Sequence, residues 1–572
     1  MRFLPLLLVF VGFAFSGNHR TYPQNDFISP VDHKILLSGT FGELRSNHFH
    51  GGIDIKSSKG GVGDPLYAVA DGYVSRIKIS GGGYGNALYL NHPNGYTTVY
   101  GHMNDLAPEL ATYVEQQQYA RESFYVDLYP EPGQFPVRQG QEIGHMGTSG
   151  YSFGPHLHFE VRSTADQRPI NPLLFGFDME DTRAPKMHKL KLYALNDRHE
   201  TTAERTVALR ALGDNRYGVA GDTLTLAAWR AGMALKVFDH HNGVSNWNGV
   251  YKLNVLVDGR PVYGFEMEDY SFDQTRYLNA HLDYREQKTD KSLYHRTYRL
   301  PGNALDIYTT VVGEGTVELS NRRAARVDMR AEDVDGNAAQ LTFWIKRGEV
   351  QPPAAPPYNY LLLHDAPNQI DNGALRLDAP RGAFYENVYL AYQSLRDDSD
   401  GYYSNVHHLG DRLVPVHTYF DLGIRPTGAV PPALRPKAYL AECRDGNFTN
   451  HGGTWRGDYL TAPVRTFGDF AIRIDTVPPT ITPVSFGRDR TRSSRMSFKI
   501  QDNLPTSSQA RGLRYRGTVD GQWVLFEFDA KKDVLTHRFD ERLPRGSGEH
   551  RLRLEVTDDR GNVATYERTF VR

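Results

Sequence analysis

Short runs in which apolar and polar residues alternate recur along almost the whole chain, and Gly and Pro separate them. Residues 251–257 and 550–556 are examples, and the 572 residues include 54 Gly and 32 Pro. Alternation with a period of two is typical of a half-buried strand, and turn residues between such runs favour antiparallel pairing. The sequence therefore predicts a mainly β protein, with a small antiparallel β domain followed by about three β-sandwich (Ig-like) modules.

The length of the chain requires more than one core. One hydrophobic core rarely grows beyond about 250–300 residues, whereas this chain has 572 residues, of which 40% are hydrophobic. Composition and turn signals predict these segments: a signal peptide at 1–16, a first β domain at 17–176, a β-sandwich module with insertions at 177–350, a Pro-rich linker at 351–357, a β-rich module at 358–474 and a C-terminal Ig-like β-sandwich at 475–572.

The first residues indicate export. Arg2 precedes an apolar run over residues 3–15, and Ala14 and Ser16 are small residues at the −3 and −1 positions of a cleavage site. The run is shorter than the roughly 20 residues that span a bilayer, and we expect no membrane span after cleavage. Cys443 is the only cysteine, so neither an intrachain disulfide nor a lipoprotein anchor is expected. The destination is the periplasm or the extracellular space.

The charge balance argues against one class of partner. Lys and Arg number 65 and Asp and Glu number 67, which gives a net charge of −2. Proteins that bind nucleic acids non-specifically usually carry a strong positive excess. We therefore expect no nucleic-acid partner, although a local basic patch stays possible.

Two later parts of the chain repeat the same landmarks in the same order. The landmarks are Asp-Thr-x-x-Pro at 181–185 and 475–479, Val-Asp-Gly at 257–259 and 519–521, and Asp-x-x-Gly-Asn at 333–337 and 558–562. Their order predicts two related modules. The Asp-x-x-Gly-Asn motif resembles part of a calcium loop but lacks further ligands nearby in the sequence, so a turn between two strands is favoured. Between these modules, residues 379–384 resemble the opening of ZU5-like sandwiches.

Two histidine motifs in the first domain could bind a metal. His50 and Asp54 form a His-x-x-x-Asp spacing, and His156 and His158 form a His-x-His spacing. Zinc accepts imidazole nitrogen and carboxylate oxygen, and its catalytic sites use three protein ligands. On a strand, side chains two residues apart point to one face. With 22 histidines in the chain such pairs also arise by chance, and His48 with His50 forms a second one.

Other motifs are less persuasive. Residues 150–154 match the Gly-x-Ser-x-Gly nucleophile elbow around Ser152, but that motif requires a following helix, and here Pro155 and a strand pattern follow. The adjacent pairs His240-His241 and His407-His408 have no carboxylate at ligand spacing and are interpreted as surface histidines. We assign no role to His145.

Several ordered motifs resemble the LytM/lysostaphin-type zinc metallopeptidases. They are HGGIDI at 50–55, DPLYAVADGYV at 64–74, GGYGN at 82–86, YTTVYGH at 96–102 and GPHLHFE at 154–160. The resemblance spans residues ~35–175 and is confined to the 17–176 domain. In that family, a small antiparallel β core cuts peptide cross-bridges of bacterial peptidoglycan.

The resemblance implies roles for five residues. His50, Asp54 and His158 would bind one Zn²⁺ per chain, and His102 and His156 would be the catalytic pair. By resemblance His156 is the base and His102 stabilises the oxyanion, although the sequence does not separate these roles. Degenerate relatives that only activate other wall enzymes lose such residues. All five are present here, which implies an active enzyme.

One insertion departs from the family. Between His102 and His156 the family usually runs shorter, and residues 108–124 have helix-forming composition opened by Pro108. This helix could form a wall of the substrate groove and restrict which cross-link enters, or it could stabilise the surface away from the groove.

The resemblance and the zinc chemistry together predict an exported zinc metalloendopeptidase that hydrolyses peptide cross-links of peptidoglycan. The alternative is a non-catalytic wall-binding scaffold or an activator of other cell-wall hydrolases. Peptidoglycan peptide stems are the expected substrate. The β-sandwich modules are expected to serve as spacers or to contact a protein partner.

Overall fold

The fold was analysed in a computed structural model, which describes residues 21–350, 357–396, 401–507, 510 and 512–572. The predicted signal peptide at 1–16 lies outside the described residues, as does the Pro-rich segment except for Pro357. The protein is mainly β, with 46% strand and 7% helix, and a first β domain is followed by many β-sheet modules. The predicted fold class is therefore confirmed.

A nine-stranded antiparallel sheet forms the centre of the first domain. In spatial order its main strands are Leu37–Gly39, Ile53–Lys56, His156–Ser163, Tyr96–Gly101, Asn86–Asn91, Gly72–Ile79 and Val126–Leu128. Two short strands, Pro169–Ile170 and Pro136–Val137, pair with His156–Ser163 and Gly72–Ile79. The strand that carries the His-x-His spacing is therefore central, and the strand that carries Asp54 is its direct neighbour.

A smaller sheet and one helix complete this domain. The sheet contains Pro65–Tyr67, Glu142–Met146 and Met103–Leu106. The predicted helix is confirmed as Pro108–Ala120, with Pro108 in its first turn and Leu110, Val114 and Gln118 buried. These three residues are spaced by four, so they share the face that packs on the domain. The helix ends earlier than predicted, and a 3₁₀ turn, Pro172–Phe175, closes the domain.

A twelve-stranded sheet dominates residues 186–347. Its main strands, in spatial order, are His295–Arg296, Arg230–Phe238, Lys186–Leu195, Thr201–Gly213, Arg216–Val219, Ala338–Arg347, Ala325–Glu332, Lys252–Val257, Arg260–Glu266 and Tyr308–Val311. Thr223–Leu226 and Val317–Glu318 join at its sides. Four short helices lie in its insertions: Phe272–Tyr277, Leu278–His281, Tyr284–Asp290 and Gly313–Gly315.

Residues 357–474 form three sheets. A two-stranded sheet pairs Tyr360–Leu362 with Val388–Leu390. One five-stranded sheet contains Asn368–Asp371, Leu375–Ala379, Phe420–Ile424, Tyr459–Val464 and Thr454–Arg456. The other contains Tyr392–Leu395, Val406–Leu409, Gly468–Ile474, Ala438–Arg444 and Asn447–Asn450, and a 3₁₀ turn, Arg435–Lys437, precedes Ala438.

Two four-stranded sheets form the C-terminal module. One contains Thr480–Ser485, Arg495–Gln501, Val534–Arg538 and Glu527–Asp529, and the other contains Gln522–Trp523, Arg514–Val519, Glu549–Thr557 and Val563–Val571. In the part of the chain that the structure describes, no helix has the length and apolar character needed to cross a bilayer.

The Asp-x-x-Gly-Asn motifs form turns between strands, as predicted, and the same contact recurs in both modules. Asn337 Nδ2 donates to the Asp181 carbonyl at 3.1 Å, and Asn562 Nδ2 donates to the Asp475 carbonyl at 3.1 Å. Each turn therefore ties the end of its module to the segment that begins it.

The prediction of surface histidines is wrong for three of the four residues concerned. His240, His241 and His407 are buried, and only His408 is partly exposed. Two carboxylates approach His241: Asp181, which is 60 residues away in the chain, at 3.4 Å, and Asp239, which is two residues before it, at 3.5 Å.

Candidate active site

Strand pairing brings the predicted ligands together. Asp54 lies directly opposite His158 in the antiparallel pair, so both side chains point to the same face of the sheet. Because alternate residues of a strand share a face, His156 and Glu160 accompany His158 there. His50 reaches the same place from the loop before the Ile53–Lys56 strand.

The donor atoms of the three predicted ligands converge. The distances between His50 Nε2 and Asp54 Oδ1, between His50 Nε2 and His158 Nδ1, and between His158 Nδ1 and Asp54 Oδ1 are all 3.0 Å. Two ligands bound tetrahedrally to zinc at about 2.0–2.1 Å lie roughly 3.3 Å apart. The spacing therefore fits a single metal ion with a small adjustment, and all three side chains are buried.

The neighbours of the two imidazoles fix which nitrogen bears the proton. His50 Nδ1 donates to the Thr40 carbonyl at 2.8 Å, which leaves Nε2 as an acceptor in the neutral ring. His158 Nε2 donates to Glu160 Oε1 at 2.8 Å, which leaves Nδ1 as an acceptor. Two nitrogen lone pairs and a carboxylate oxygen then face one another, and a cation is the group that satisfies all three.

A buried hydrogen-bond network that includes charged side chains orients His158. Tyr84 Oη donates to Glu160 Oε1, and Arg162 Nε donates to Glu160 Oε2 at 2.6 Å. Although burial alone lowers it, hydrogen bonds to Asp54 and Glu160 raise the pKa of His158 to about 9. A metal ion that binds here must therefore compete with a proton for His158 Nδ1.

The predicted catalytic pair lies beside the ligands. The ring centroids of His102 and His156 are 4.8 Å apart, and His156 Nε2 lies 3.5 Å from Asp54 Oδ1. His102 follows the Tyr96–Gly101 strand and has a φ of 61°, in the left-handed region that few side chains other than Gly adopt. Such strain is common at functional sites. The five predicted residues are thus brought into one cluster.

Backbone carbonyls orient both rings of the pair. His102 Nδ1 donates to the Ser149 carbonyl at 2.8 Å, and His156 Nδ1 donates to the Gly154 carbonyl at 2.9 Å. Each neutral ring therefore presents an Nε2 lone pair. Burial, with the neighbouring His158 and His156, lowers the pKa of His102 to about 3. His102 is therefore a neutral acceptor at physiological pH.

Sequence reasoning missed the residues that orient the ligands. Glu160 was visible as part of the GPHLHFE motif, and alternation along the strand would have placed it on the face of His158. Tyr84 and Arg162 reach Glu160 from other positions, and Arg45 Nη2 donates to Asp54 Oδ2 at 3.2 Å. No spacing signal links Arg45 to Asp54, because a loop brings them together.

The module at 186–347 holds the segment that carries His50. Tyr270 Oη donates to the Phe49 carbonyl at 3.0 Å, and the Phe49 amide donates to Thr275 Oγ1 at 2.9 Å. Phe41, Leu44 and Phe49 pack into the core of that module rather than into the core of the first domain. The position of His50 therefore depends on residues outside its own domain.

The C-terminal module contacts the other side of the site. Lys531 Nζ donates to the Ser152 carbonyl at 3.1 Å and to the Thr148 carbonyl at 2.5 Å. Tyr119 of the inserted helix lies edge-on to Trp523, with ring centroids 5.1 Å apart, and Arg542 covers Tyr119 at 3.9 Å. A cavity of about 850 Å³ remains between the helix, the 148–150 loop and this module.

The other candidate residues have no place in the metal cluster. His48 Nδ1 contacts the side-chain oxygen of Asn47, and His145 pairs with Asp105. Ser152 donates to the Gly154 carbonyl at 2.6 Å, and a strand rather than a helix follows it.

Comparisons with known proteins agree with this geometry. The Peptidase family M23 profile matches residues 48–121 and 116–172, and a Zu5-like domain profile matches 359–475. Residues 48–172 thus form a LytM-type domain of Peptidase family M23. The resemblance of residues 379–384 to ZU5-like sandwiches is likewise confirmed.

The curated relatives align only over this domain. DD-carboxypeptidase/endopeptidase Mpg of Neisseria meningitidis serogroup B is 33% identical over 130 residues, which are 23% of each chain. Murein hydrolase activator NlpD of Escherichia coli (strain K12) is 31% identical over 146 residues, 26% of this chain and 30% of the relative. The chain thus spans about a quarter of the length of the curated relatives that it matches.

Among solved structures, the catalytic domain of lysostaphin from Staphylococcus simulans aligns with this chain over 25% of this chain's length and 91% of the length of the lysostaphin domain. Its sequence identity is 22% and its TM-score is 0.19.

Proposed function

We propose that this chain is an exported zinc metalloendopeptidase that hydrolyses peptide cross-links of bacterial peptidoglycan. The observation that carries the proposal is the convergence of His50 Nε2, Asp54 Oδ1 and His158 Nδ1 at 3.0 Å, with two further imidazoles alongside. The relatives named DD-carboxypeptidase/endopeptidase and murein hydrolase activator support a cell-wall role. Export is proposed from the leader at 1–16.

His50, Asp54 and His158 would hold the zinc, which when bound supplies a Lewis acid and a water molecule of lowered pKa. His156 Nε2 accepts a proton from the attacking water and later returns it to the leaving amine. His102 Nε2 accepts a hydrogen bond from the same water. Because His102 Nδ1–H is held by the Ser149 carbonyl, the neutral ring has no further N–H to donate to an oxyanion.

The alternative function is a wall-binding scaffold or an activator of other hydrolases, and the similarity to the murein hydrolase activator NlpD is the reason to consider it. A scaffold needs neither a tightly held metal nor two neutral imidazoles beside it. The intact cluster, with a buried carboxylate that orients His158, therefore favours an enzyme.

Digestion of purified peptidoglycan tests the proposal. The products identify the bond: a peptidase releases new amino and carboxyl termini and creates no new reducing sugar ends. Soluble fragments that carry cleaved cross-links are expected. If the protein instead binds the polymer without releasing fragments, and fragments appear only when a second hydrolase is added, the activator function is correct.

We further propose that one wall of the substrate groove is formed by the inserted helix and the C-terminal module. Lys531 contacts two carbonyls of the 148–152 loop, and the carbonyl of Ser149 in that loop holds His102. The predicted gating role of 108–124 thus extends to a module more than 350 residues further along the chain.

Lys531→Ala should weaken the contact between the C-terminal module and the 148–152 loop. Hydrolysis of a short cross-link peptide should rise about 2- to 5-fold, because the contacts of the exposed Lys531 ammonium are worth roughly 1 kcal/mol in solvent and their loss opens the groove. Zinc content should not change. Lys499→Ala, in the same module and away from the loop, is the control. If neither the rate nor the product profile responds to Lys531→Ala, the contact only stabilises the assembly.

A further inference from the structure

A second cluster of candidate ligands lies at one end of the 186–347 module. Oxygen or nitrogen atoms of Asp181, Asp239 and His241 lie within 4.8 Å of one another, and so do oxygen atoms of Asp181, Asp333 and Asp335. Asp181 belongs to both groups, so the carboxylates of Asp239, Asp333 and Asp335 lie around this one shared residue. Asp181 and Asp239, which are distant in the chain, thus provide the further candidate ligands that the sequence around the 333–337 turn lacks.

Several buried polar atoms at this point lack a partner. Asp239 is 1% exposed, and its Oδ1 accepts no hydrogen bond. Asp181 Oδ2 likewise has none, although Asp181 Oδ1 accepts from two backbone amides. A buried oxygen without a partner costs free energy in an ion-free protein.

Asn248 gives an independent indication. It is fully buried, and neither its Oδ1 nor its Nδ2 has a hydrogen-bond partner. Asn248 pairs directly with Asp239 through two backbone hydrogen bonds of 2.9 Å, so the antiparallel geometry places both side chains on one face. An uncharged amide oxygen without a partner therefore lies beside the carboxylates.

The carboxylates of this cluster have no direct cationic partner in the part of the chain that the structure describes. Among the described residues, none of the four carboxylates forms a salt bridge with Lys or Arg, and the guanidinium of Arg183 donates instead to the His241 and Val244 carbonyls. Burial lowers the pKa of His241, although the neighbouring Asp181 and Asp335 oppose this. Burial and the charge of Asp333 raise the pKa of Asp239 to about 8.

We propose that Asp181, Asp239, Asp333 and Asp335 bind one divalent cation of the calcium class, with Asn248 Oδ1 as a further oxygen ligand. Calcium takes six to eight oxygen ligands in flexible geometry, whereas a site designed for zinc would be expected to offer more nitrogen or sulfur. The neighbouring Gly249 amide donates to Thr40 Oγ1 at 3.0 Å, and the Thr40 carbonyl accepts from His50 Nδ1. The cation would thus order the segment that adjoins the catalytic site.

Equilibrium dialysis of the full chain with Ca²⁺ tests this site. Asp239→Asn should lower the number of bound Ca²⁺ ions by one, and Asp335→Asn, at an exposed ligand that tolerates substitution, should weaken the same ion at least about tenfold. The control Asp214→Asn changes an exposed carboxylate of the same module and should leave binding unchanged. Zinc content is measured in parallel, so that loss of the catalytic metal is not mistaken for loss of calcium.

The unfolding temperature gives a second readout, because the variant and the wild type should rank differently without and with Ca²⁺. In calcium-free buffer Asp239→Asn should unfold at the same temperature as the wild type or at a higher one, because it removes one acidic group from a cluster of buried carboxylates. With about 5 mM Ca²⁺ the wild type should gain several degrees and the variant should not. Equal calcium binding in the wild type and both variants, no calcium binding, or selective binding of Zn²⁺ would overturn the proposal.

Discussion

His158→Ala should remove both the zinc and the hydrolytic activity. His158 supplies one of three ligand atoms, and its Nε2 donates a hydrogen bond to the buried Glu160 carboxylate. Without this imidazole, only His50 and Asp54 remain as ligands. We expect zinc to fall below about one-tenth of an ion per chain and activity to fall at least about 10³-fold, well beyond the 10–100-fold that loss of an outer-shell partner costs.

His145→Ala is the matched control for that experiment. His145 belongs to the same domain, is partly exposed and pairs with Asp105 instead of the metal cluster. It should retain zinc and activity. Circular dichroism of both variants checks that the domain still folds, and His158→Asn offers a smaller structural change if the alanine variant does not. Full zinc and full hydrolysis in a folded His158 variant would show that the ligand assignment is wrong.

His156→Ala should separate metal binding from turnover. The His156 ring lies beside the ligands, with its Nδ1 held by the Gly154 carbonyl and its Nε2 3.5 Å from Asp54 Oδ1. We expect an unchanged zinc content and a loss of about 10²–10⁴-fold in kcat, the usual contribution of a positioned acid–base group. Metal and rate are measured on one preparation.

His102→Asn provides the companion variant, because Asn tolerates the left-handed backbone that His102 adopts. It should also keep zinc and lose turnover. Loss of metal in His156→Ala would instead place that residue among the ligands, and an unchanged kcat in both variants would remove the pair from the mechanism.

Local periodicity in the sequence predicts the strands and part of the candidate site. Alternation identified the strands, and a spacing of two placed His156 and His158 on one face. The family motifs then linked His50, Asp54 and His102 to them. Pro108 and the apolar residues after it located the inserted helix.

The rest depends on contacts between residues far apart in the chain. The support of Phe49 by Tyr270 and the contact of Lys531 with Ser152 join different modules, so no local pattern encodes them. His241 was misjudged for the same reason, since strand Arg230–Phe238 and the segment at Asp181 meet only in the folded module. Burial of a polar side chain is a property of the tertiary structure.

The most direct test of the central claim is the dependence of hydrolysis on bound zinc. Protein stripped of metal by dialysis is titrated with Zn²⁺, and the release of new amino termini from purified peptidoglycan is measured against the zinc content per chain. If His50, Asp54 and His158 hold the catalytic metal, activity should rise linearly and reach its maximum at about one zinc per chain. Full activity in the stripped protein, or none in the fully loaded protein, would contradict the account.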